Sequence, residues 1–183
     1  MPANSISSLA PQLARLSMMA ALSFALSNPA HSGELAGGLG SCPGVEAVEA
    51  NLTEASSSGY FIPGLKLIVL NRPLLKDAAL PVQKFIFAHE CAHADPTVGE
   101  DEDAADCAAA KRGEAEGWIG RTEIIQICVH LGRMPVDATH KPAGMRCANI
   151  RQCAREAADN HQSANAEFLI PSEILRRSVS TFR

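Results

Sequence analysis

Beyond residue 32 this chain has no apolar run long enough to cross a bilayer, so no stable membrane insertion is expected of the mature part. It has no basic excess either. The formal net charge is −4, which gives nothing to draw nucleic acid or anionic lipid to its surface. There is no internal repeat and no low-complexity block, which excludes solenoids and arrays. Charge is almost missing from the first 32 residues: Arg15 is the only charged side chain before Glu34.

That local scarcity reads as a leader. Arg15 precedes the apolar run Leu16–Leu26, and Ala30-His31-Ser32 supplies small residues at the −3 and −1 positions of a cleavage site. This is the layout of a secretory signal peptide over residues 1–32. Removing Arg15 with it takes the net charge from −4 to −5. Residues 33–183 remain, enough for one domain with a real core. All six cysteines lie there: Cys42, Cys91, Cys107, Cys128, Cys147 and Cys153. An even count in an exported chain points to three disulfides, and the expected location is periplasmic or extracellular.

Taken in order, residues 33–59 are rich in Gly, Ser and Ala and admit a short helix at about 45–52. Leu65–Leu70 is apolar, β-rich at its centre and bounded by breakers, which predicts a strand. Pro81 suits the first turn of a helix over 82–94, and Pro96 stops it. A second helix runs from near Asp101 to Glu116, slim because of its alanines, and Gly117 and Gly120 end it around Trp118. A third runs from Thr122 to Leu131 with Gly132 as its stop. A loop through Pro135, His140 and Pro142 leads to a fourth at about 145–159, and Ser172 can cap a short last one at 173–177. The fold class is therefore α+β, mostly α, with a small edge strand or sheet ahead of the first long helix; the strand at 65–70, as a sheet edge, could align an extended peptide by backbone hydrogen bonds.

The chemistry concentrates in Phe85-Ile-Phe-Ala-His89-Glu90-Cys91-Ala-His93. Histidines four apart lie on one helical face and present two imidazole nitrogens to one point. Zinc accepts such nitrogens and in catalytic sites keeps a position open. Glu90 comes directly after the first histidine, where a carboxylate can take a proton from water in that position. Two histidines do not complete the site. A metzincin would carry glycine at position 96 and histidine at 99; Pro96 and Gly99 stand there instead. The next stretch is Gly99-Glu-Asp-Glu102-Asp-Ala-Ala-Asp106, with Glu102 and Asp106 again four apart. A carboxylate from this second helix, Glu102 or Asp106, is a fitting third ligand.

His89-Glu-Cys-Ala-His93 with Glu102-x-x-Ala-Asp106 downstream resembles the gluzincin metallopeptidases, especially the soluble relatives of the CAAX-prenyl-protease group. The resemblance covers roughly residues 60–153. It takes in Ile68–Asn71, Leu74-Leu75 and, further on, His140-Lys141-Pro142 with Arg146, where Lys141 is an insertion into the family's His-Pro pair. It implies a zincin-like domain with His89, His93 and Glu102 as zinc ligands and Glu90 as general base. Asp106 would orient an imidazole from behind, and His140 would help to stabilise the tetrahedral intermediate.

Cys91 is turned about 200° from the metal face, so it is not expected to be a ligand. We expect a Cys91–Cys107 bridge stapling the two ligand-bearing helices. Cys147 and Cys153, about 9 Å apart along one helix, cannot pair; each then joins Cys42 or Cys128. His130 and His161 read as structural or exposed, and Trp118 as an interhelix plug. A cysteine upstream of His-Glu-x-x-His also occurs in peptide deformylases, but Ala36–Cys42 lacks that family's surrounding motifs.

The function expected is that of an exported zinc metallopeptidase acting on a peptide or protein. The other class these residues admit is a secreted, disulfide-stapled binding module whose metal is structural or lost. A site closed by four protein ligands would mark the second, and an open one the first.

Overall fold

The computed structural model describes residues 38–53, 55, 57–135 and 139–168. The leader read in residues 1–32 and the helix expected at 173–177 lie outside them. Three strands come first: β1 (Glu46–Ala50), β2 (Gly59–Ile62) and β3 (Leu67–Asn71). Five helices come after them: α1 (Arg72–Leu75), α2 (Leu80–Ala92), α3 (Glu102–Ala115), α4 (Arg121–Leu131) and α5 (Ala143–Phe168). The architecture is α+β and mostly helical, as expected, in one domain.

The sheet order is β1-β3-β2, with β1 parallel and β2 antiparallel to β3. Two readings are corrected here. The segment 45–52 is not a helix: its alanines and glutamates favour one in isolation, but Val48 and Ala50 pack with Leu67 and Val69 of β3, and pairing overrides propensity. The strand at 65–70, taken as a possible sheet edge, is instead the central strand. Every residue of β3 is buried, as expected of a strand paired on both sides.

Asn71, at the end of β3, is fully buried. Its side-chain amide donates to the carbonyls of Leu52, Ala55 and Ser57. One side chain thus gathers the connection between β1 and β2 and sets where β2 begins.

Helix α2 starts with a proline in its first turn, where a missing N–H costs nothing. Its inner face carries Val82, Phe85, Ile86 and His89, all buried. Phe85 is completely enclosed with Ile68 and Leu70 of β3, Leu75, Ile127 and Ile150. Burial of side chains this size stabilises by about 1.5–3 kcal/mol each. Asp101 caps α3 by accepting from the Ala104 N–H at 3.0 Å. Ala105, Ala109, Ala110 and Gly113 keep the buried face of α3 narrow. At Gly113 a Cβ would lie 2.8 Å from Ile119, so the chain folds back there only on glycine. Gly117, at φ +72°, takes it out of the helix.

Three disulfides close the structure: Cys42–Cys91, Cys107–Cys153 and Cys128–Cys147. The expected Cys91–Cys107 bridge is therefore wrong. Helices α2 and α3 meet through the faces that carry the histidines and acids. Cys91, turned away from that face, looks towards the segment before β1 and finds Cys42. Cys107, about 100° round α3 from Asp106, looks towards α5 and finds Cys153. Cys147 and Cys153 do not pair with each other, as their spacing required; Cys147 takes Cys128. Among the described residues no helix is long and apolar enough to cross a membrane.

Candidate metal centre

Three side chains converge where the C-terminal end of α2 meets the first turn of α3. His89 Nε2 lies 3.0 Å from Glu102 Oε2 and 3.2 Å from His93 Nε2. His93 Nε2 lies 3.7 Å from Glu102 Oε2. The hydrogens of the two rings are committed elsewhere. His93 Nδ1 donates to the Gly99 carbonyl at 2.6 Å. His89 Nδ1 lies 2.9 Å from Asp106 Oδ1, a contact bent from ideal alignment in a fully enclosed position. Both Nε2 atoms therefore turn lone pairs towards each other and towards a carboxylate oxygen. Three acceptors cannot satisfy one another; a cation among them can.

The separations suit such an ion. Metal–ligand bonds of about 2.0–2.1 Å in a tetrahedral arrangement place ligand atoms about 3.3 Å apart, and the observed values bracket that figure. The expected ligands His89, His93 and Glu102 are thus brought together, and among the described residues they form the one such cluster.

The electrostatics carry the same message. Burial favours the neutral form of His89, yet the carboxylates of Asp106 and Glu102 hydrogen-bonded to it outweigh that, and its pKa is pushed up to about 9. Without a metal, a proton holds the place of the cation. Burial works against ionised Glu102, but hydrogen bonds from His140, His89 and His93 hold its carboxyl below the usual carboxylate range.

Asp106 stands behind His89 rather than in the His89–His93–Glu102 cluster. It is fully buried and takes a two-pronged ion pair from Arg146, with Nε–Oδ2 at 2.8 Å and Nη2–Oδ1 at 2.7 Å. Burial opposes its charge, but Arg146 and His89 keep its pKa lowered. With both oxygens used this way, Asp106 faces His89 from behind, and Glu102 is the carboxylate that lies beside the two Nε2 atoms and could hold a metal with them.

Glu90 lines a cleft together with His89 and His140. Burial raises its pKa, against the opposing pull of His89 and His93. His140 reaches the Glu102 carboxylate, Nε2 to Oε2 at 3.2 Å. Lys141 lines the same cleft and forms an ion pair with Asp103.

Two contributors carried no sequence signal. Gly59, the first residue of β2, lies against Glu90: a Cβ there would sit 2.9 Å from Glu90 Cγ and 3.0 Å from Oε1. Ser58, beside it, meets His130 at 3.0 Å across 72 positions of chain, so His130 has the partner its local spacing did not show. Trp118 donates to Glu116 at 2.7 Å and packs over Gly113, away from the cleft.

Each disulfide has one cysteine directly beside a residue of this site: Cys91 beside Glu90, Cys107 beside Asp106, and Cys147 beside Arg146. Comparison with known proteins returns no match, whether among family models, curated proteins or solved structures.

Proposed function

We propose that this chain is an exported, zinc-dependent metallopeptidase of gluzincin type that hydrolyses peptide bonds. The observation that carries this reading is the convergence of His89 Nε2, His93 Nε2 and Glu102 Oε2 at separations suited to one tetrahedral ion. Two imidazoles and a carboxylate are a donor set suited to zinc, and three protein ligands are the number found in catalytic sites rather than closed ones. When bound, the ion would polarise the scissile carbonyl and lower the pKa of water to about 7.

The chain's own residues would do the rest. Glu90 takes the proton from the attacking water and passes it to the leaving amine. His140, at the rim of the cleft, is placed to donate to oxygen charge developing on the substrate. Asp106 and Arg146 hold the His89 ring in one orientation. The substrate-aligning edge is β2, not β3. Asn71 N–H donates to the Ser58 carbonyl at 2.9 Å, so Gly59 and Phe61, the alternate residues, turn their backbone groups away from β3. Among the described residues no further strand pairs with that edge, and an extended peptide can add to it. Export is supported by the leader-like N-terminus and the three disulfides.

The test is elemental analysis of the mature, oxidised protein beside His89→Ala and Glu102→Ala. The reading expects zinc at one ion per chain, lost in both variants, with cleavage of a random peptide library by the wild type. Zinc kept in Glu102→Ala would remove Glu102 as a ligand. Full zinc loading with no cleavage would favour the binding module.

A further inference from the structure

The geometry points to His130 as a positioning residue for the β2 edge: through Ser58 it fixes the start of β2 on α4, and with it the wall that faces Glu90. Ser58 is 2% exposed and is held from two sides. Its carbonyl accepts from Asn71 N–H in the sheet. Its hydroxyl lies 3.0 Å from His130 Nε2 and 3.5 Å from Met134 Sδ. The next residue is Gly59, whose missing side chain is what leaves room for Glu90. A small shift of Ser58 is therefore transmitted one residue along to the backbone groups at the open edge, while Glu90 keeps its own place on α2.

His130 is well suited to the task. It sits on the last turn of α4, which packs on α2 and is tied to α5 through Cys128–Cys147. The anchor is thus rigid, while the described residues of the connection it holds, 51–53, 55, 57 and 58, lie outside helix and strand. An imidazole nitrogen can donate to or accept from a hydroxyl, so the bond persists whichever group carries the hydrogen. Burial and the nearby charge of Arg133 keep the ring towards its neutral form.

The part of this inference that concerns substrate rests on the peptidase reading; the anchoring does not. The experiment therefore has two readouts. Amide hydrogen exchange is measured on the full oxidised protein for wild type, His130→Leu and His130→Gln. In His130→Leu the Tyr60 and Asn71 amides exchange about five- to tenfold faster, the equivalent of one lost hydrogen bond, while Ala109 and Ala110 in α3 are unchanged. His130→Gln restores slow exchange, because its amide reaches a similar distance. Unchanged exchange at Tyr60 and Asn71, an equal rise in α3, or no rescue by glutamine overturns the proposal. On any peptide the wild type cleaves, His130→Leu raises KM several-fold with kcat kept; a fall in kcat at constant KM overturns it as well. If the wild type cleaves nothing, the peptidase reading fails alone and exchange decides the anchoring.

Discussion

Arg146 and Asp106 meet in a fully buried, two-pronged ion pair, and the same Asp106 oxygen that receives Arg146 Nη2 also faces His89 Nδ1. Helix α5 thereby reaches a histidine of α2 through a carboxylate of α3. Removing the guanidinium leaves a buried charge half-paired. Arg146→Met is expected to lose about 3–5 kcal/mol of stability and to weaken zinc binding about 10–100-fold. Denaturant unfolding and a competitive zinc titration measure the two. Arg146→Lys recovers only part of either, since an ammonium cannot supply both prongs.

Glu90, the base of the proposed reaction, has a tight neighbour in Gly59. Glu90→Gln keeps the zinc ligands and loses the proton acceptor, so hydrolysis falls by about 10²–10⁴ at unchanged zinc content. Gly59→Ala acts on the same carboxylate from outside: a methyl 2.9 Å from Cγ forces it to move. A displacement near 1 Å costs about 10²-fold in rate. Elemental analysis beside kcat/KM separates both effects from loss of metal.

On the proposed reading, zinc would have to displace the proton that His89 holds. In the metal-free protein His89 is raised to about 9 from 6.5. Its stabilising contribution is then full below pH 6.5 and is lost as pH rises through about 9. For metal the sign is opposite: affinity climbs with pH by up to about tenfold per unit until the proton is gone. The rise in melting temperature on adding zinc should therefore grow between pH 6.5 and 9. A flat response would show that no proton is exchanged.

The Cys42–Cys91 bridge closes a 49-residue separation on the side of α2 that faces away from the His89–His93–Glu102 cluster. Replacing both cysteines by serine is expected to cost about 2–4 kcal/mol while zinc stoichiometry stays unchanged. Unfolding curves and elemental analysis of the double variant test this together.

Much of the centre was legible because it is local. Residues four apart share a helical face, so His89 with His93 and Glu102 with Asp106 could be read directly. The start of helix α3 near Asp101 could be read as well, though not that Asp101 caps it. The strand at 46–50 was not legible because Glu, Ala and a single Val look helical until β3 is there to pair with them. Cysteine pairing failed for a related reason: it depends on where α5 lies, and no spacing within α2 or α3 reports that. Ser58 and Gly59 sit in a run of small polar residues that reads only as a connection. Their meaning comes from His130 and Glu90, which the chain brings up only after folding.

The bridges also impose an order of events. Helix α2 carries His89 and ends on His93 at its C-cap, but Glu102 and Asp106 arrive on α3, which is fastened to α5 by Cys107–Cys153, and Arg146 arrives on α5, which is fastened to α4 by Cys128–Cys147. A chain still in a thiol-rich compartment lacks both fastenings. On the proposed export route, oxidation thus serves as a maturation step, keeping the centre unfinished at the place of synthesis and completing it at the destination.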